Sequence, residues 1–414
     1  MRSSPMPRDP LITQYEQWVY PEPIVDLDAY VAAGGRDYAD PSRLRWKIWP
    51  HGAVPAGLRI LVAGCGANQA AILARANPAA SVLGIDLSGQ AIAHHERLKK
   101  AHKLHNLELL QVAVEDVGTL GREFDYIVTT GVLHHLADPA AGLEALRQVL
   151  APQGAISVML YGRHRRAGVY MVQEALRRLG AERTPEGVAL ARDVVAHLPE
   201  WHAARQYVAV APDLGYDAGI VDAFLNARDR AYTVPEIMDL AVAAGLRFQS
   251  WLDGLHYSPS AVFPADAAIH DHIHALPRVE QWHIVDLLGQ VTGVHRFLLC
   301  HAERLLVGEV DEDGFLLSPD ARLLAGVIDA DAVPIRHPDL VLTEEHDSAC
   351  MQREWHTLRL NGAALAAFSQ VDGSCSFRLI LDAFADQASR DYVMAVFTYL
   401  AECDHIHFAY PRTT

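Results

Sequence analysis

Cysteine is scarce in this chain. There are five thiols in 414 residues, at Cys65, Cys300, Cys350, Cys375 and Cys403. The number is odd and no two lie close together, which excludes a disulfide framework, a zinc ribbon and a vicinal redox pair; reduced thiols are expected. Base is also in short supply: 35 Lys and Arg against 51 Asp and Glu leave a formal charge of −16. A phosphate-binding surface needs the opposite balance, so no nucleic-acid partner is expected. The one basic concentration, AHHERLKKAHKLH at 93–105, reads as the solvated face of a helix. Long apolar runs are missing as well, and nothing approaches the roughly 20 residues needed to cross a bilayer. The opening MRSSPMPRDP has no apolar stretch behind its arginines, so it is not read as a secretory signal. The expectations are a cytoplasmic protein and no membrane partner.

Half of the residues are hydrophobic, and the length calls for two or three domains. From 58 to 161 short apolar runs alternate with amphipathic stretches. Strands are predicted at 58–62, 82–85, 107–112, 125–129 and 155–161. Helices are predicted at 69–76, from a Ser88 cap to about 103, and at 138–150. Such alternation implies crossover connections and a parallel sheet covered on both faces, an α/β fold. Residues 166–231 read as a helical cap. Thr233, Pro235 and Glu236 then open a helix that Gly245 ends, followed by a strand at 246–252. A run at 294–300 is its candidate partner and would close the sheet.

The sharpest chemical signal is VAGCGANQ at 62–69, set between a strand and a helix. Gly64 and Gly66 permit a tight turn and close approach of a ligand to the backbone, and the following helix offers free N–H groups. Asp86 ends the next strand, where a carboxylate can accept both hydroxyls of an adenosine ribose. Such a crevice can hold NAD, FAD or S-adenosylmethionine. The dinucleotide fingerprint wants a third small residue where Gln69 stands, which disfavours the first two.

RILVAGCGANQAAILA, VLGIDLSGQAIAHH and FDYIVTTGVLHHLADPAAGLEALRQVLAPQGAISVMLYG together resemble class I S-adenosylmethionine-dependent methyltransferases. QYEQWVYPEP at 14–23 is similar to an N-terminal segment of bacterial members. The resemblance implies a seven-stranded Rossmann-like sheet with a helical cap insertion, a small α+β C-terminal domain, and S-adenosyl-L-methionine as cofactor. It divides the chain into a lid segment at 1–45, a methyltransferase domain at 46–165 and 232–306, the cap at 166–231, and an accessory domain at 330–414. Carried over by position, Gly64, Cys65 and Gly66 would line the methionine moiety, with Asn68 and Gln69 also among the cofactor-binding residues. Asp86 would bind the ribose, Leu87 would lie against adenine, Val114 and Glu115 would flank its edge, and Gly131 would border the sulfonium. Three positions depart from the pattern: Val62 replaces an acid, Asn68 a third glycine, and Ala113 an aspartate. Asparagine at 68 is tolerated because it can adopt the left-handed conformation.

His134 and His135 follow the fourth strand, at the rim where such sheets bind ligands. His134 is the candidate general base; the alternative is that one histidine caps the next helix while the other packs. Tyr15, Trp18, Tyr20, Tyr161, His164 and Tyr257 are candidates to line the acceptor site, or else core. Arg228 or Arg230, in NARDRAY at 226–232, would pair a substrate carboxylate or belong to a surface ion-pair network. HDHIH at 270–274 invites a metal, but spacing by two on a helix splays the side chains, so no metal is expected. VDEDG at 310–314 reads as a turn.

The C-terminal stretch LRLNGAALAAFSQVDGSCSFRLILDAF reads as two helical runs around Asp372-Gly373, with a weak likeness to winged-helix modules. Dimerisation, lid support or delivery of a peptide are the roles open to it, so a homodimer is allowed. The reading is a methyltransferase acting on an O or N acceptor of a small molecule. The rivals are a peptide or protein methyltransferase and a non-catalytic cofactor-binding scaffold.

Overall fold

The computed structural model describes residues 10–49, 54–264, 267–304 and 331–409; the turn expected at 310–314 lies outside them. Seven strands build one sheet: β1 (Arg59–Ala63), β2 (Ser81–Asp86), β3 (Leu107–Gln111), β4 (Phe124–Thr130), β5 (Leu150–Tyr161), β6 (Leu246–Trp251) and β7 (Val294–His301). Their order is β3-β2-β1-β4-β5-β7-β6. The first five run parallel to their neighbours, and β7 pairs antiparallel with β5. The run at 294–300 therefore does close the sheet, entering between β5 and β6. Ile60, Leu61, Val62 and Ala63 are fully buried, as expected of a central parallel strand covered on both faces. β5 starts earlier than its apolar run because Pro152 and Gly154 lie within an irregular pairing, where the register to β4 shifts between Phe124 and Tyr126.

Among the described residues the chain forms two compact units. The first holds 10–42, 55–247 and 290–302; the second holds 43–49, 54, 248–264, 267–289, 303–304 and 331–409. In the first, the stretch after β5 is helical as read, with helices at Ala167–Arg178, Pro185–Ala196, Arg205–Val210 and Asp217–Phe224. Val169, Val172, Leu176, Val188, Ile220 and Phe224 give it a core of its own. Ser88 caps helix Gly89–Ala101 through Ala91 N, and Thr233 forms a capping box with Glu236. The basic run at 93–105 is only partly a solvated face, since His94 and His95 are buried.

The second unit contains β8 (Val333–Arg336), the antiparallel meander β9 (Val341–Glu345), β10 (Ser348–Arg353) and β11 (His356–Asn361), and β12 (Ile406–Ala409) paired to β8. Helices Gly362–Phe368 and Phe377–Asp382 flank the Asp372-Gly373 turn. The third helix, Gln387–Glu402, packs Val393, Phe397 and Leu400 against Phe368, Phe377 and Phe408. The unit is α+β as expected. The winged-helix likeness is not confirmed, because the meander precedes the helices. Residues 43–49 and 248–252 belong to this unit through buried polar ties: Lys47 Nζ donates to Trp251 O (3.1 Å) and Leu252 O (2.9 Å), and Arg304 donates to Gln249 and Ile48 O. No helix among the described residues is long and apolar enough to cross a membrane.

Candidate active site

At the C-terminal end of β1 the backbone turns sharply. Gly64 N and Cys65 N both donate to Ile85 O, each at 2.9 Å. Gly64 has φ +74° and Gly66 φ +55°. A Cβ at Gly64 would stand 2.3 Å from Val132 Cγ2, so glycine is required there twice over. Asp86, at the end of β2, accepts Gly66 N on Oδ2 (2.8 Å) and Ser88 N on Oδ1 (2.8 Å). Burial raises its carboxyl above the usual range, opposed by N–H groups of Ser88, Gly66 and Leu87. Each oxygen keeps a further lone pair free to accept another hydrogen bond.

Leu87 stands exposed beside Asp86 and Gly131 ends β4 with φ +69°, while Val114 is buried and Glu115 exposed at the start of the 3-10 turn after β3. Cys65 is buried, its thiol pushed well up by that burial, with Sγ 3.9 Å from His95 Nδ1. All these positions gather at the strand ends where open α/β sheets bind ligands. A cleft lined by Arg59, Asn106, Glu108 and Arg122 lies at the opposite ends of the strands.

The side chains of Asn68 and Gln69 are committed to the N-terminal segment. Asn68 has φ −135°, so its tolerance of the left-handed region is not used. Its Oδ1 accepts Ile24 N and its Nδ2 donates to Glu22 O, both at 2.8 Å. Gln69 Nε2 donates to Asp37 Oδ2 (2.9 Å) and Thr130 Oγ1 (2.8 Å). Pro21 Cδ and Tyr20 O would lie 3.0 and 3.2 Å from a Cβ at Gly66, so the segment rests on the glycine turn. Asn68→Ala removes both ties, at about 0.5–1.5 kcal/mol each. Limited proteolysis should then cut within 20–38 several-fold faster than in the wild type; equal rates would contradict the latch.

A second group of side chains meets under the cap. Tyr15 OH and Tyr161 OH donate to the two oxygens of Asp222, at 3.0 and 2.9 Å, and Tyr20 OH donates to Asp213 at 2.8 Å. The Tyr161 ring lies between the His134 ring, with centroids 4.0 Å apart, and the Arg166 guanidinium at 3.6 Å. His134 is only 1% exposed. Neither of its ring nitrogens has a hydrogen-bond partner. Burial, with His135 and Arg166 adding, holds its pKa well below the ordinary value, so it is neutral. His135 Nδ1 donates to Arg228 O (2.6 Å), and Arg228 donates back to His135 O (3.1 Å). Neither histidine caps the next helix, because Asp138 does.

Of the other candidates, Trp18 packs against the cap core and His164 is half-buried just before the cap. Arg228 serves His135, and Arg230 lies over the Tyr232 ring and 3.7 Å from Glu236. Tyr257 is 2% exposed in the second unit and stacks on Trp251 at 3.7 Å, a core position there. In the 270–274 run, His270 Nε2 bonds to Pro264 O at 2.9 Å, His272 is exposed, and His274 lies 3.5 Å from Glu402; the three do not converge. Sequence reasoning missed Arg166, Asp222 and Asp229. The available signal was an acid inside the otherwise apolar helix DAGIVDAF, since a buried carboxylate is rarely left without a purpose.

Residues 61–156 match a family model described as a methyltransferase domain. An uncharacterised protein of Synechococcus sp. is 30% identical over 248 residues, covering 58% of this chain and 60% of that one. A tRNA 5-carboxymethoxyuridine methyltransferase of Escherichia coli K12 is 36% identical over 112 residues, 27% of this chain and 42% of that one. The chain thus spans about half the length of these relatives. Among solved structures, PKMT2 from Rickettsia typhi in complex with AdoHcy aligns with 90% of this chain and 76% of its own, with a TM-score of 0.63 at 15% identity. That likeness is one of fold.

Proposed function

We propose that this chain, whose residues 61–156 match a methyltransferase domain, moves a methyl group from S-adenosylmethionine to an oxygen or nitrogen of a small molecule. One observation carries the reading. Asp86 ends β2 anchored to the glycine turn through Gly66 N, on the same sheet edge as His134 and Tyr161. Asp86 would take the ribose hydroxyls, the backbone at 64–66 the methionine tail, and Leu87 and Val114 the adenine. The cofactor supplies a methyl group already activated on a sulfonium.

What this chain must add is placement and proton handling. Gly131, whose φ of +69° favours glycine, stands at the end of β4 beside the place the methyl group would take. His134, neutral and buried, can accept a proton from the acceptor group. The helical cap encloses this edge with Asp222 and Arg166 and would keep water from the reacting atoms. In-line positioning of this kind supplies most of the rate when the donor is activated.

The test is transfer of tritiated methyl from S-adenosylmethionine to a set of small hydroxyl and amine compounds. Transfer by the wild type, falling about 10²-fold or more in His134→Ala if a base is used, is the expected result. No transfer to any compound despite tight cofactor binding would favour a scaffold instead.

A further inference from the structure

The cluster under the cap has more carboxylate than it needs. Asp222 is 4% exposed and receives only neutral donors: Tyr15 OH, Tyr161 OH and, at 3.2 Å, Asn226 Nδ2. It makes no ion pair with lysine or arginine among the described residues. Asp229 accepts Arg166 (3.3 Å), Gln173 (2.9 Å) and Tyr170 OH (3.4 Å). The deeply buried set is thus two carboxylates against one guanidinium, Arg166. Buried charge is costly unless it is paired, so a further cation would complete this set.

Acceptor atoms stand ready for it. One ligand atom each from His134, His135 and Asp229 lies within 4.8 Å of the others. Three acceptors, each about 2.9 Å from one ammonium nitrogen in tetrahedral directions, stand about 4.7 Å apart. His135 donates its Nδ1 hydrogen to Arg228 O, which leaves Nε2 as an acceptor. His134 has two unpartnered ring nitrogens in a fully buried ring, and a neutral imidazole always has one acceptor. The half-buried tyrosines Tyr15, Tyr20 and Tyr216, with Asp213 bonded to Tyr20, add aromatic faces and a further carboxylate to the surroundings, both of which favour a cation.

We propose that the methyl acceptor is an amine that enters as its ammonium and is received by His134, His135 and Asp229, with Asp222 balancing its charge. This rests on the reading of the chain as an S-adenosylmethionine-dependent methyltransferase. An ammonium has no lone pair, so it first loses a proton, which the neutral His134 accepts. The freed lone pair forms the N–C bond to the methyl group as the C–S bond breaks, and that electron pair stays on sulfur as a neutral thioether. The methylated nitrogen then carries the positive charge, and His134 releases its proton to solvent. Burial raises the Asp222 carboxyl, opposed in part by His135 and by the Tyr161 and Tyr15 hydroxyls, so a cation reaching the site would add to that stabilisation.

The test uses the full chain with S-adenosylhomocysteine bound and compares butylammonium, butanol and butyrate by titration calorimetry. Butylammonium should bind at least tenfold more tightly than butanol, and butyrate should not bind. Asp222→Asn and Asp229→Asn should each weaken butylammonium at least tenfold while S-adenosylhomocysteine affinity stays within twofold, which also shows that the variants fold. Equal binding of butylammonium and butanol would overturn the proposal. So would one equivalent of transition metal in the purified protein that is lost in His134→Ala. Failure to bind S-adenosylhomocysteine at all would instead overturn the methyltransferase reading on which it rests.

Discussion

Replacing Asp86 with alanine is expected to weaken S-adenosylmethionine binding by at least two orders of magnitude. Two hydrogen bonds from ribose hydroxyls to a carboxylate contribute about 1.5–3 kcal/mol each. Losing both amounts to about 3–6 kcal/mol, and every 1.4 kcal/mol is about tenfold in affinity. A second effect adds to the first. Asp86 also holds Gly66 N and Ser88 N, so without it the glycine turn loses its anchor on β2. Asp86→Asn separates the two effects, since its amide oxygen can still accept one backbone N–H while the charge is gone. Its affinity should fall between those of the wild type and the alanine variant. Calorimetry on all three proteins checks the order, and an alanine variant within threefold of the wild type would remove Asp86 from the site.

The second large effect lies in the C-terminal unit. Asp404 is 5% exposed and accepts Lys47 Nζ at 2.7 Å, Arg353 Nη1 at 2.7 Å and Gly254 N at 3.1 Å. Although burial acts to raise its carboxyl, Lys47 and Arg353 hold it well below the usual range. Asp404→Ala leaves two buried cations facing each other and should cost about 3–5 kcal/mol.

The same cluster makes the unit sensitive to acid. Burial pushes His337 down to about 2, His405 down to about 4, and His407 well below its ordinary value. Folded, these rings stay neutral; unfolded, they titrate near 6.5. Below that pH the unfolded chain binds more protons, so stability falls as pH falls, by up to about 1.4 kcal/mol per pH unit for each such histidine. The Asp404 contribution has the other window. It is present above the unfolded carboxylate value and is lost only as pH falls through the folded one. Acid destabilisation should therefore begin near pH 6.5, well above the carboxylate range. Denaturant midpoints for the full chain at pH 7.5, 6 and 5 check this, and a flat profile down to pH 5 would contradict it.

The sheet was readable because its strands are short apolar runs of the kind a doubly covered parallel sheet needs, with turns marked by Gly64, Ser88 and Asp138. Strands β9 to β11 were not. VLTEE is exposed along almost its whole length, so no alternation of apolar and polar residues announces it. The glycine turn was legible for a similar reason: Gly64, Gly66 and Asp86 are fixed by local geometry that sequence spacing carries. Asn68 and Gln69 were placed at the same turn, but their side-chain partners at 22–24, 37 and 130 come from distant segments that no local pattern could supply. Asp222 and Arg166 were missed because their meaning lies in the tyrosines across the cap. Tyr257 looked like its aromatic neighbours in sequence, and only packing against Trp251 distinguishes it.

The central claim is that the glycine turn and Asp86 hold S-adenosylmethionine. Gln69 bears on that directly, because its side chain bridges Asp37 and Thr130 where a dinucleotide site would need a small residue. Titration of the wild-type protein with S-adenosylmethionine and with NAD, in one buffer by calorimetry, tests it most directly. The account predicts saturable binding of S-adenosylmethionine at one site per chain and none of NAD; binding of NAD with no binding of S-adenosylmethionine would contradict it.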